Sequence, residues 1–329
     1  MIIIVAAVGS AVTGDGYAIS VTSTIMFWRL ILGFGIGGDY PLSAIITSEF
    51  ATKKRRGAMM AAVFAMQGFG ILTAAIVALV VVAAFKNQIR ENVMAVDYCW
   101  RLVLGLGAVP GLLALYFRLT VPETPRYTMD VERDVNQASK DITSVLSSGR
   151  YEERQAGAQI QQVEVPEQSW ADFKNYFGQW KNGKVLLGTS MSWLTLDIAF
   201  YGIGLNNSII LNAIGFAKDP DPYTQLKNVA VGNIIITVMG TVPGYWFTVL
   251  LIDKWGRKSI QLMGFSILTI LFIVLGAAYN QIKEASIALF IIFFTLLQVH
   301  VTLTLFFHVS LCMTSPSLTI LSHHHLIIS

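Results

Sequence analysis

From Gly57 to Phe85 the chain carries no charged side chain, and similar runs recur along its length. Eight apolar stretches stand out, at residues 1–13, 21–47, 57–84, 100–120, 184–212, 227–252, 258–280 and 285–312. A helix needs about 20 mostly apolar residues to cross a bilayer, so all but the first are long enough. In lipid, backbone polar groups must be satisfied within a helix or a closed barrel. Runs rich in Leu, Ile, Ala and Gly, without strict alternation, fit helices. Charged residues make up 13% of the chain and mean hydropathy is +0.60, against about 25% charged residues in soluble domains. The expected fold class is therefore an all-α, multi-pass membrane protein with the lipid bilayer as its solvent.

Several functions are disfavoured. A net charge of +3 is too small to indicate a nucleic-acid partner. Cys99 and Cys312 have neither the number nor the spacing of a disulfide framework or zinc site. His323, His324 and His325 form a run without supporting ligands, so no metal is expected. No GxxxxGK[ST] loop is present for nucleotide chemistry. The sequence calls for no cofactor and no enzymatic activity. The run Met1–Val12 lacks a preceding basic region, so it reads as the start or remnant of a spanning helix, not as a cleavable signal.

The longest polar stretch, residues 121–183, splits the spans four and four and reads as a solvated linker. Basic residues in short loops set orientation. Lys53, Lys54, Arg55 and Arg56 follow the second span, and Lys254, Arg257 and Lys258 follow the sixth. Both clusters fall on one side, expected to be cytoplasmic together with the linker. The loops around Asp15, Glu91–Asp97 and Lys218–Asp221 fall outside.

Ionisable residues inside apolar runs carry the functional signal, because a central Asp costs about 2.5–3.5 kcal/mol on insertion. Asp197 sits in such a run with Trp193 and Tyr201 at i−4 and i+4. The three spread over about 80° of a helix. One face offers an indole donor, a carboxyl and a phenol, which suits a small polar solute or a proton. The alternative is ordinary aromatic packing with Asp197 paired to a neighbouring helix. Asp39 follows Gly33, Gly35, Gly37 and Gly38 and precedes Tyr40 and Pro41. The glycines allow close helix approach and Pro41 frees a carbonyl and bends the helix. A site is expected there, or else a structural kink with Asp39 paired to a cation. Arg29 needs a partner or must snorkel. Gln67 can serve a solute or simply bond another helix. Glu49, Glu123, Arg126, Asp253 and Arg257 cluster at expected cytoplasmic helix ends, where ion pairs would form a gate.

These same residues carry a family resemblance. The segment Gly35-Ile36-Gly37-Gly38-Asp39-Tyr40-Pro41-Leu42-Ser43 resembles the GGDYPLS signature of the phosphate:proton symporters, a branch of the major facilitator superfamily. Ser48-Glu49-Phe50 with Arg56-Gly57, and Pro122-Glu123-Thr124-Pro125-Arg126-Tyr127, match further motifs of that family. Asp253-Lys254-Trp255-Gly256-Arg257-Lys258 resembles the superfamily's D-x-x-G-R-[RK] loop, which is less specific. Val242-Pro243-Gly244-Tyr245-Trp246 and Ile260–Phe265 look like the fungal and plant members.

The resemblance covers about residues 1–298 and implies a major facilitator fold. It implies phosphate contacts at Tyr40, Gln67, Trp193, Asp197 and Tyr201. It also implies proton coupling at Asp39 and Asp197, with phosphate and protons as partners and the plasma membrane as location. The family has twelve helices, and the eight stretches match its third to tenth. An incomplete fold truncated at both ends is thus expected, with 1–120 from the N-terminal bundle, 121–183 the linker and 184–312 from the C-terminal bundle. Residues 313–329 read as an aberrant tail, because the sequence after Gln298 departs from the family's N-F-G-P-N region. The family's first-helix acid, tenth-helix asparagine and eleventh-helix lysine have no counterpart here. Rival readings are a proton-coupled sugar or organic-ion carrier of the same superfamily, and a non-transporting nutrient sensor or regulatory fragment.

Overall fold

The computed structural model describes residues 1–17, 19–51, 55–120, 170–285, 287 and 290–299. Among these, every regular element is a helix. The first half comprises α1 (Ile2–Val12), α2 (Val21–Phe50), α3 (Arg56–Ala84), α4 (Lys86–Glu91), α5 (Val96–Leu106) and α6 (Ala108–Thr120). The second half comprises α7 (Trp170–Phe177), α8 (Trp180–Gly204), α9 (Asn207–Ala213), α10 (Pro222–Ile236), α11 (Val242–Trp255), α12 (Arg257–Ala285) and α13 (Phe290–Val299). Five helices are long and apolar enough to cross a membrane, or six if the bent pair α8–α9 counts as one. Ile2–Val12 and Phe290–Val299 are shorter apolar helices.

Several expected spans are interrupted, each for a local reason. The stretch 184–212 bends by 50° between α8 and α9. There Asn206 Nδ2 donates to the Gly202 carbonyl at 2.7 Å, competing with the helical ladder. The stretch 100–120 lies within a single run, Val93–Thr120, with a turn at Gly107, three residues before Pro110, which cannot donate to the Leu106 carbonyl. The stretch 227–252 lies within a single run, Pro222–Trp255, but contains a π-turn at Thr237–Thr241. Pro243 follows directly; it lacks an N–H for the Met239 carbonyl, and a wider turn relieves that mismatch. By contrast, α2 continues as a helix through Pro41.

The end of the stretch expected as a linker holds α7. Its rings meet along one side, Phe173 and Phe177 tilted with centroids 4.8 Å apart and Trp170 edge-on to Phe173 at 5.8 Å. An aromatic, partly charged short helix of this kind matches the composition of a membrane–water interface.

Packing runs through α3. It contacts α2 and α5 in its own half and α10 and α11 in the other. A buried core joins Met60, Phe64 and Ala65 of α3 to Leu196 of α8 and Tyr245 and Ile252 of α11. Of the four glycines around Asp39, only Gly35 serves close approach: a Cβ there would lie 2.7 Å from Ile3 Cγ1. Gly33, Gly37 and Gly38 face open space, so the expectation of a glycine-lined contact holds at one position of four.

Candidate functional site between the halves

The site forms where α2 and α3 face α8. Tyr40, on α2, donates from its hydroxyl to Gln67 Oε1 on α3 at 3.1 Å. The Tyr40 ring leans on Phe64, centroids 5.8 Å apart, which fixes the direction of its phenol. On α8, Trp193 Nε1 donates to Asp197 Oδ2 at 2.6 Å. Leu196, fully buried beside Asp197, turns this face of α8 toward the interior. Asp197, Tyr201 and Asp39 all lie within electrostatic reach of Tyr40. The structure therefore brings Tyr40, Gln67, Trp193, Asp197 and Tyr201 into one region spanning both halves. Tyr201 is half exposed, whereas Trp193 and Asp197 are partly buried. The set offers phenol, amide and indole groups around one carboxyl, which suits a small oxyanion or polyol and a proton.

Two residues of this region carried no recognisable site signal in the sequence. Tyr245 on α11 is fully buried and within electrostatic reach of Tyr40 and Tyr201. It fills the space that Gly68 leaves vacant. Arg118, near the end of α6, pairs with Asp39 and donates from Nη2 to Ser43 Oγ at 2.8 Å. Asp39 is thus engaged by a cation, which is the structural alternative to a site role at this position. Arg118 was hidden because it sits at the polar edge of an apolar run, where a cation needs no explanation. Arg29 is exposed on α2 and has no ion-pair partner among the described residues.

At the opposite face of this region lies the group expected to form a gate. Asp253, at the end of α11, accepts from the backbone N–H of Ala58 at 3.3 Å. Among the described residues its partner is the start of α3, where a carboxylate complements the helix dipole; the expected cations Arg126 and Arg257 are not among the described side chains. Glu49 Oε2 and Arg56 Nε are buried without hydrogen-bond partners among the described residues. Glu123, Arg126 and the histidine run lie outside the described residues, as does the side chain of Arg257.

Residues 1–311 match the family model described as "Sugar (and other) transporter". This chain belongs to that family. The family match fits the two helical halves flanking a polar centre. The chain is 48% identical to the repressible high-affinity phosphate permease of Neurospora crassa over 312 residues. It is 43% identical to the inorganic phosphate transporter PHO84 of Saccharomyces cerevisiae, and 41% identical to low affinity inorganic phosphate transporter 1 of Petunia hybrida. These alignments cover 89%, 89% and 85% of this chain but only 55%, 54% and 54% of the relatives. The chain thus spans about half the length of the curated relatives it matches. Its fold is similar to that of the xylose transporter XylE from E. coli in a partially occluded inward open conformation. The TM-score is 0.66 at 20% identity, covering 98% of this chain and 68% of that one. The fold is therefore that of the major facilitators, and the protein is a multi-pass member of a membrane transporter family.

Proposed function

We propose that this chain serves secondary active transport of inorganic phosphate, coupled to protons by alternating access in the plasma membrane. The observation that carries this reading is the Trp193–Asp197 pair facing Tyr40–Gln67 across the halves. The names of the relatives, phosphate permeases and transporters, support the choice of solute.

Phosphate is an anion at neutral pH. An ionised Asp197 repels it, whereas a protonated Asp197 donates a hydrogen bond to one of its oxygens. Proton binding therefore favours phosphate binding, and proton loss toward the cytoplasm favours release, which is coupling by differential affinity. Tyr40, Gln67, Trp193 and Tyr201 supply neutral donors that hold the anion without a fixed charge. The halves, residues 1–120 and 184–312 on either side of the linker, rock about this midplane site. Asp39 takes part in proton transfer only when Arg118 lets it go.

The test is uptake by cells expressing the intact 329-residue chain. Asp197→Asn keeps an acceptor for Trp193 but cannot exchange a proton, so proton-driven phosphate accumulation should be lost. Normal accumulation by that variant would sink the coupling scheme. The family model names sugars, so a hexose carrier is the second reading. A competition panel of phosphate, sulfate and hexoses separates the two, and inhibition by hexose alone would favour the second.

A further inference from the structure

The halves also meet beyond the far end of α3, away from Asp253. Arg90, on α4, presents a fork to Asp221: Nε at 3.1 Å and Nη2 at 2.8 Å from the same Oδ2. Asp221 stands immediately before α10 and also accepts from Thr224 Oγ1 at 2.7 Å. Its backbone N–H is held by Asp219 Oδ1 at 2.9 Å. The Arg90 guanidinium lies 5.1 Å from the Tyr223 ring centroid, and Lys86 Nζ lies 5.7 Å from it. Tyr223 is itself buried beside Val81, Val82 and Ile89 of the first half.

We propose that Arg90, Asp221 and Tyr223 form the latch that closes the outer end of the path between the halves. The contact joins the first half to the second, so rocking must break it. It is placed beyond the opposite end of α3 from the Asp253–Ala58 contact, and α3, at 29 residues, is about 44 Å long. An isolated exposed ion pair contributes little. Here the carboxylate is fixed by Thr224 and Asp219, so it is positioned before Arg90 arrives. The guanidinium rests on a ring that is anchored in an apolar cluster, and that stacking favours arginine over lysine. The inference rests on the alternating-access reading but not on the identity of the solute.

The test measures distance, in the full chain held in lipid nanodiscs. Spin labels on Asn92→Cys and Lys218→Cys report the separation of the halves at this end, in a chain with Cys312→Ala; Cys99 is buried. The parent should give mostly the short distance. Arg90→Asp and Asp221→Arg should each turn the long-distance population from the minor into the major one. The swap Arg90→Asp/Asp221→Arg should return it to the short distance. Tyr223→Leu keeps the ion pair and should give an intermediate distribution, which serves if a charge variant does not fold. Unchanged distances in folded single variants, or a swap that stays long, would overturn the latch. The measurement involves no phosphate. A failed latch therefore leaves the phosphate reading intact, and a working latch without phosphate uptake condemns only that reading.

Discussion

Gly68 and Tyr245 are packed with no room for a side chain between them: a Cβ at position 68 would lie 2.5 Å from Tyr245 Cδ2. The pair joins α3 to α11 at the level of the candidate site. Alanine in place of glycine gains about 1 kcal/mol of helix propensity. Forcing a methyl into a filled core costs about 1–3 kcal/mol, and Tyr245 is fully buried and cannot step aside. Gly68→Ala should therefore lower the thermal midpoint of the purified chain. Gly70→Ala, where nothing lies within 4 Å, should leave it unchanged or raise it. Equal behaviour of the two variants would refute the packing argument.

The Trp193 indole is a donor held on a carboxyl. Trp193→Phe keeps the ring's apolar body and removes the N–H. In the proposed scheme this N–H passes from Asp197 to the phosphate anion once Asp197 is protonated; a hydrogen bond to a charged group is worth about 1.5–3 kcal/mol, so the half-saturating phosphate concentration should rise about tenfold or more. Concentration dependence of uptake at matched expression checks this; an unchanged value would remove Trp193 from the site.

Arg118 fastens α6 to α2 through Asp39 and Ser43. Its side chain is 50% exposed and that of Asp39 35%, so solvent screens the pair. Removing it should cost less than about 1 kcal/mol. The sharper readout is geometric. Arg118→Lys keeps the charge but cannot reach both partners with a planar fork. Hydrogen exchange in 108–120 should therefore quicken for both Arg118→Gln and Arg118→Lys; protection equal to the parent in both would show that the fork does not matter.

Asp221 gives a pH dependence with a definite sign. Its hydrogen bonds from Arg90 and then Thr224 hold the carboxyl below its ordinary value of 3.8. A depressed value means that the contact is fully present above the ordinary range and is lost as pH falls through the lowered one. The charged groups around it are Arg90 from α4 and Asp219 from its own loop, with Lys86 over the neighbouring Tyr223 ring. The difference in thermal midpoint between the parent and Asp221→Asn should be constant from pH 7 to 5 and shrink only in stronger acid. A difference that vanished near neutrality would contradict the ion pair.

Much of this was legible in the sequence. The apolar runs predicted where helices lie, and the i, i+4 spacing anticipated that Trp193 and Asp197 share a face. What escaped depends on contacts between segments distant in the chain. Nothing in a run of small residues says that Gly68, and not Gly70, abuts a tyrosine of the other half. Arg118 and Arg90 look like ordinary helix-end cations until Asp39 and Asp221 are placed beside them. The breaks at Asn206 and at Thr237–Thr241 were also hidden, because hydropathy averages over a turn and does not see which carbonyl loses its donor. The bond from the Ala58 N–H to Asp253 was hidden too, because a backbone N–H leaves no mark in a sequence.

The π-turn at Thr237–Thr241 sets the aim of everything C-terminal to it in the same run. A π-turn holds one residue more than the α-helical turn it replaces, and each helical residue rotates the remainder of the helix by about 100°. Tyr245 and Asp253 both lie downstream of it, and both point at α3. Tightening this turn to α-helical geometry at constant chain length would rotate both side chains about 100° off target, whereas deleting one residue within 237–241 would regularise the helix and keep their facing. In chain-length terms, this turn absorbs a single surplus residue, so a one-residue deletion here should be far better tolerated than one within α10 or α11, which would turn Tyr245 and Asp253 away from α3.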